Sequence, residues 1–179
     1  MKNNELLFST EEFSFILRSI AHMEQNLAEF LFSHTYPASD DPEGKYQFFR
    51  NKWLSDGIAT LDFDGMLHPS KSFGSLLYCL YDWKSATKIE TEAITQFWVL
   101  NDIESLCITI ESDRTSAALC KPVDFLEELY RLKEKKKAGK LQIKKSDGVL
   151  IGPFELSNAP KLIDDKLIAA IYGRNHYAG

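Results

Sequence analysis

Residues 95–121 read TQFWVLNDIESLCITIESDRTSAALCK, and this stretch decides the fold class of the chain. It contains three runs rich in β-branched and aromatic residues, and the polar pairs Asn101-Asp102 and Ser112-Asp113 separate them with typical turn residues. Connections this short join antiparallel neighbours, so we predict an antiparallel meander. A fourth β-rich run precedes the three. The predicted runs cover residues 88–93, 95–100, 105–111 and 115–121.

The alternation of apolar and polar residues indicates how these strands are buried. In residues 106–110 leucine and isoleucine alternate with other residues, which predicts one apolar face. Residues 97–100, Phe-Trp-Val-Leu, are apolar on both faces, which is typical of a strand covered on both sides. We therefore expect this strand to lie centrally in the sheet, and Trp98 to be either core or an anchor for a partner.

Upstream of the sheet, the sequence predicts helices. Ser9 and Glu12 have the spacing of a capping box, and Phe8 can pack on Phe13 across it, so a helix should begin there. Apolar residues then recur at helical spacing over about six turns, which predicts one long amphipathic helix. The residues of this stripe are Phe13, Ile16, Leu17, Ile20, Met23, Leu27 and Leu31.

Two further helices and a hairpin follow before the sheet. We predict a helix over residues 42–56 that ends at Gly57, then a tight hairpin over 58–67 around the two-residue turn Asp64-Gly65. A third helix should start after Pro69, with Phe73, Leu76, Leu77, Leu80 and Tyr81 as its apolar positions.

After the meander we predict a helix over residues 123–137, a hairpin over 140–156 and a last helix over 158–172. The whole chain, 1–179, is therefore predicted to be a single α+β domain with a central antiparallel sheet flanked by helices. Its helical and hairpin half covers about residues 8–83, and its half of sheet plus helices covers about residues 84–173.

Composition limits the function classes. A net charge of −5 disfavours nucleic acid as a partner, because such binding depends on lysine and arginine contacts to phosphates. The thiols Cys79, Cys107 and Cys120 lie in apolar surroundings, which predicts buried, reduced cysteines and a cytoplasmic location. We find no signal peptide and no apolar stretch long enough for a membrane span, so no membrane association is expected.

Motifs for catalysis or cofactor binding are not found in the sequence. The four histidines are far apart and do not have the spacing of metal ligands. No phosphate-binding glycine loop and no nucleophile elbow occurs. Residues 62–65, Asp-Phe-Asp-Gly, lack the later ligands of a calcium loop and suit a turn better. We expect no enzyme activity, no cofactor and no metal.

A protein-binding role remains, and the candidate contacts lie on the sheet and its turns. Trp98 is a candidate anchor. Asp113 lies in the predicted turn of residues 112–113, Arg114 follows it, and both are candidate contacts. Between Lys133 and Lys145 seven lysines accompany a single glutamate, and Lys136 at their centre is a candidate for charge attraction to an acidic partner. A solvated helix end and hairpin is the simpler explanation of these lysines, because positive charge there complements the helix dipole.

The order of these signals resembles EspG-type proteins, the cytosolic substrate-specific chaperones of bacterial type VII (ESX) secretion, and their small Gram-positive relatives. The resemblance implies an α+β fold with a central antiparallel sheet, and recognition of a helical secretion substrate before export. It transfers no catalytic residue. The segments that carry it are residues 8–13, 54–58, 62–67, 73–80, 96–100, 106–110 and 125–129.

Two other classes stay open. Helix, helix and hairpin also suit a winged-helix DNA-binding regulator, although the second helix offers only Lys45, Arg50 and Lys52 as cations. An acidic chain without motifs would equally suit an immunity protein that binds a secreted toxin. Pairing of two copies of the chain as a homodimer is also left open.

Overall fold

The computed structural model describes residues 5–20, 25–32, 40–92, 95–111, 113–134 and 138–156. These ranges contain helices on both faces of a large sheet. The helices are α1 (Thr10–Ile20), α2 (Gln25–Phe32), α3 (Pro42–Ser55), α4 (Lys71–Tyr81) and α5 (Pro122–Glu134). The strands are β1 (Glu5–Ser9), β2 (Ala59–Leu61), β3 (Leu67–Pro69), β4 (Ser85–Thr91), β5 (Thr95–Leu100), β6 (Ser105–Glu111), β7 (Arg114–Cys120), β8 (Gly139–Lys145) and β9 (Leu150–Glu155).

Seven of the strands form one antiparallel sheet in the order β1-β7-β6-β5-β4-β8-β9, whereas β2 and β3 form a separate hairpin. The α+β fold with a central antiparallel sheet flanked by helices is confirmed. The meander β4 to β7 is the middle of the sheet, and β5 is its fourth strand, as the apolar run at residues 97–100 predicts. The predicted second hairpin is β8 and β9, and it extends the sheet beside β4.

The two faces of the sheet have separate cores. Phe97 and Val99 of β5 pack in a cluster with α1, α2, α3 and α4, while Trp98 and Leu100 of the same strand pack with α5. Alternate residues of a strand point to opposite faces, so this division follows directly from the sequence of β5. The sheet is consequently covered on both sides at its centre.

The single long helix predicted from Phe13 to Leu31 is wrong. The structure has α1 and α2 instead, and the rings of Phe13 and Phe32 lie 6.2 Å apart between centroids. Nineteen residues of continuous helix would separate them by roughly 28 Å, so α1 and α2 cannot be parts of one continuous helix. The capping box at its start is confirmed, since Glu12 N–H donates to Ser9 Oγ at 3.1 Å and the Phe8 and Phe13 rings lie 5.6 Å apart.

The hairpin of β2 and β3 is present, but its predicted two-residue turn is wrong. Asp62 N–H donates to the Met66 carbonyl at 3.0 Å, which closes a three-residue loop of Phe63, Asp64 and Gly65. Gly65 has a φ of 75°, the left-handed position that ends such loops and favours glycine. The Asp-Gly pair is therefore used in a turn, one residue longer than predicted.

Strand β1 was not predicted, because its five residues carry no alternation clear enough to separate them from the helix start. It pairs antiparallel with β7 and so lies at one end of the sheet. Two other boundaries shift: β4 begins at Ser85 instead of 88, and β7 begins at Arg114. The helix predicted over 158–172 lies outside the described residues. Among the helices that are described, none is both long and apolar enough to cross a membrane.

Candidate protein-binding surface

The predicted anchor Trp98 is buried. Only 2% of its surface is exposed, and its indole lies 5.3 Å from the ring of Phe125 on α5. Its Nε1 donates to Oε1 of Gln96 at 3.1 Å, so its polar group is satisfied within the fold. The expectation that a partner reaches Trp98 on a free sheet face is therefore corrected, because α5 covers that face.

Asp113 and Arg114 are exposed, at the connection between β6 and β7. The Asp113 carbonyl accepts a 3.0 Å hydrogen bond from Thr10 N–H, which fixes this connection to the start of α1. The position of Arg114 relative to Trp98 can be read from their partners on β6. Arg114 lies opposite Glu111 and Trp98 lies opposite Cys107, and these partners are four residues apart. That is about 13 Å along the strand, so these candidates do not form one site. Lys136 lies outside the described residues.

At the strand ends opposite the β6–β7 connection, α4 and the β5–β6 turn form an open groove of about 270 Å³. We call it the α4 groove. Tyr78 and Ile103 line the groove and are 50% and 71% exposed, and Tyr81, three residues after Tyr78 on α4, is 57% exposed. Such exposure is unusual for large apolar side chains that lie near one another, and it often marks a binding surface. The groove is lined by Gly74, Ser75, Tyr78, Ile103 and Glu104.

The sequence of α4 explains why the tyrosines face outward. Ser70 caps the helix by accepting from Phe73 N–H at 3.3 Å, and the buried face then consists of Phe73, Leu76, Cys79 and Leu80. Gly74 and Tyr78 are four residues apart, so they share another face one turn apart. Tyr81, predicted as an apolar position of this helix, lies at the exposed side of its last turn.

The other wall is a turn held by one side chain. Asn101 Oδ1 accepts from the N–H groups of Ile103 at 2.9 Å and Glu104 at 2.7 Å, and Asn101 N–H donates to the Glu104 carbonyl at 3.1 Å. Asn101 is itself buried. This network fixes the backbone beneath Ile103, so the exposed side chain projects from an ordered turn.

The surroundings of the groove are acidic. Asp82 and Lys84 form an ion pair at 2.8 Å, which raises the pKa of the lysine, and the carboxylate of Asp102 adds to that effect. Burial raises the pKa of the Cys79 thiol to about 12, with the charges of Glu104 and Asp82 contributing. Asp82 and Asp102 thus act on Lys84, and Asp82 and Glu104 act on Cys79, so carboxylates outnumber the single ammonium group here. The local field favours a partner with positive charge.

Two more exposed apolar side chains lie at the same strand ends as the β5–β6 turn. Val149 and Leu150 are on the β8–β9 hairpin, and Ser146 N–H donates to the Lys84 carbonyl at 3.0 Å. That bond places the turn directly beside the start of β4, which follows α4. A groove that mixes exposed apolar and polar side chains, with a further apolar patch on the same side of the fold, is suited to contact with a protein.

Sequence reasoning missed this surface because its parts are distant in sequence. Tyr78 and Ile103 become neighbours only when the β5–β6 turn meets α4. One signal was available: Tyr78 lies off the apolar stripe of the predicted helix, where exposure is expected. No group of three or more histidine, cysteine, aspartate or glutamate side chains could hold a metal ion within the described ranges.

No known protein-family model matches the sequence, and no curated protein matches it.

Proposed function

We propose that the chain is a non-enzymatic accessory or chaperone of a bacterial type VII secretion system, similar to EspG-type proteins. In this role it binds a helical segment of a secretion substrate in the cytoplasm before export. The α4 groove carries the proposal, because it combines exposed aromatic and aliphatic side chains with a rigid frame. Tyrosine is common among residues that anchor protein interfaces.

The dimensions of the groove favour a side chain from a larger partner over a small metabolite. It is open and only about 270 Å³ in volume, whereas pockets for small ligands usually enclose most of the ligand surface. An amphipathic helix can place one apolar residue between Tyr78 and Ile103. The β8–β9 turn is three strand spacings from the β5–β6 turn, about 14 Å, so a helix would need about three turns to reach Val149 and Leu150 as well. Lysine or arginine on its flank would meet Asp102 and Glu104.

Binding of purified helical segments from type VII substrates, measured by calorimetry, tests the proposal. Ile103→Asp should weaken binding at least tenfold, about 1.4 kcal/mol, because it places a charge in the apolar contact. Its melting temperature should match wild type, since Ile103 is 71% exposed. Phe48→Asp is the control: Phe48 is also exposed but lies on α3, and this change should leave affinity intact.

The same measurements separate the other classes. Failure of every helical segment to bind, or equal affinity for Ile103→Asp, would remove the secretion role. Binding and neutralisation of a toxin domain would assign the groove to immunity. For the winged-helix alternative, the hairpin loop presents Asp62, Phe63 and Asp64, and carboxylates at this position repel phosphates. Sequence-selective DNA binding at physiological salt would nevertheless replace the proposal.

A further inference from the structure

Strand β1 is an end strand with an open outer edge in the part of the chain that is described. Thr10 N–H donates to the Asp113 carbonyl at 3.0 Å, and the register continues as Phe8 opposite Thr115 and Leu6 opposite Ala117. Backbone N–H and C=O groups alternate in direction along a strand. Those of Phe8 and Leu6 therefore face β7, while those of Leu7 and Glu5 face outward.

The opposite edge of the sheet, strand β9, is protected against further strand pairing, whereas the edge of β1 is open. Strand β9 contains Pro153 and a Gly152 with a φ of 95°, and its pairing with β8 shifts register between Leu141 and Ile143. Proline and bulges are the usual features that prevent further pairing at an edge. Strand β1 has neither, and its pairing with β7 runs without interruption from Glu5 to Ser9.

The edge of β1 is complementary to itself. When two copies meet antiparallel about a two-fold axis through Leu7, each of the five residues lies opposite another: Leu7 faces Leu7, Leu6 faces Phe8, and Glu5 faces Ser9, whose N–H remains bonded to Glu12. The outward N–H and C=O groups of the two Leu7 residues then form a hydrogen-bonded pair. Like charges do not meet, because Glu5 lies opposite Ser9.

The same arrangement explains the exposed side chain of Leu7. It is 66% exposed, on the sheet face opposite to that of Phe8, which is buried. In the two-fold pairing each Leu7 side chain lies directly against its copy, and opposed apolar side chains stabilise paired strands. A two-fold axis placed elsewhere on β1 could also pair the outward N–H and C=O groups. Fewer of the five residues would then lie opposite a partner.

We propose that two copies of the chain associate through their β1 strands, joining two seven-stranded sheets into one continuous sheet. Five residues a side form a small interface, so the dimer exchanges with monomer and is favoured by high protein concentration. The association does not depend on the secretion role, since it uses β1 and leaves the α4 groove free.

Sedimentation equilibrium of the full chain tests the proposal. Wild type should shift from monomer to dimer as concentration rises, whereas Leu7→Lys should stay monomeric with an unchanged melting temperature. Leu150→Lys is the matched control, because Leu150 is 51% exposed on the opposite edge strand, and this variant should dimerise like wild type. A wild type that is monomeric at every concentration, or a dimer that persists in Leu7→Lys, would overturn the proposal.

Cross-linking tests the register. Directly opposite residues of a hydrogen-bonded pair have Cα atoms about 5.5 Å apart, within reach of a disulfide. Leu7→Cys, made together with Cys120→Ser, should oxidise to a covalent dimer, and Leu150→Cys in the same background should not. If a segment of the same chain occupies the edge instead, Cys at position 7 will resist oxidation and thiol reagents, which contradicts the pairing.

Discussion

The indole Nε1 of Trp53 on α3 donates a hydrogen bond of 2.8 Å to Oε1 of Glu12 on α1, a carboxylate that is fully buried. Glu12 also accepts from Ser9 N–H at 3.3 Å, and its Oε2 lies 3.2 Å from Lys52 Nζ. The cap of α1 is thus also its link to α3. A buried carboxylate is tolerated only when it is paired and hydrogen-bonded in this way.

We predict that Glu12→Ala lowers the free energy of unfolding by about 3 kcal/mol, because it leaves the buried Trp53 N–H without an acceptor and removes half of the capping box. Urea denaturation measures the loss. Glu11→Ala is the control, since the Glu11 carboxylate is more than half exposed in its ion pair with Lys45 and should contribute less than about 1 kcal/mol. Equal losses in the two variants would contradict this account of Glu12.

Trp98→Ala is predicted to lower the free energy of unfolding by about 3 to 5 kcal/mol, as expected for an aromatic side chain removed from a packed core. The indole is 2% exposed and packs on Phe125 beneath α5. Trp98→Phe should cost less because it keeps a ring against Phe125. Thermal and urea unfolding measure both. Unchanged stability together with lost partner binding would restore Trp98 as an interface residue.

Local signals in the sequence were sufficient for much of the fold. The capping box at Ser9 and Glu12 and the alternation in β6 depend on neighbouring residues, and both are found as predicted: Leu106, Ile108 and Ile110 pack in one core cluster. The sequence did not predict that α1 and α2 are separate helices, because the apolar stripe continues from one to the other. Strand β1 was missed because its pairing with β7 joins residues over a hundred positions apart, which no local pattern can indicate.

The candidate surface was less predictable than the fold. Apolar residues on both faces of β5 correctly indicated a central strand, yet that same burial removes Trp98 from the surface. Helix α5, which covers it, begins more than twenty residues later in the chain. The α4 groove likewise requires Tyr78 and Ile103 to meet in three dimensions, and the exposure of a tyrosine on a helix is visible only after its buried face is known.

The three thiols should differ in reactivity. Burial raises the pKa of the Cys79 thiol to about 12, and Cys107 is also buried, whereas Cys120 is half-buried at the end of β7. Because the thiolate is the reactive form, we predict that Ellman's reagent reacts first with Cys120 in the native protein and with the other two only after unfolding. Cys120→Ser should abolish the early reaction, and rapid labelling of Cys79 in that variant would show that the core around α4 opens.

Asp62 holds the hairpin loop that displays Phe63. The charge of the Asp62 carboxyl should depend on His68. Asp62 Oδ2 lies 2.8 Å from His68 Nε2, and Oδ1 accepts from the N–H groups of Met66 at 2.8 Å and Asp64 at 3.0 Å. The bond to His68 is the main reason that the pKa of the Asp62 carboxyl is lowered. A lowered pKa stabilises the loop above the unfolded pKa of the carboxyl, and this contribution disappears as pH falls through the folded value.

We therefore predict that His68→Ala raises the pKa of the Asp62 carboxyl toward its ordinary value, while the two backbone donors keep it from returning fully. The loop of this variant should then lose its order at a higher pH than in wild type when the protein is acidified. Titration of the carboxyl carbon of Asp62 by NMR gives its pKa directly. Met66→Ala is the control, because it retains the backbone N–H and should leave the pKa of the Asp62 carboxyl unchanged. If the pKa of the Asp62 carboxyl is also unchanged in His68→Ala, the backbone donors alone set its charge and the histidine has no part in holding the loop.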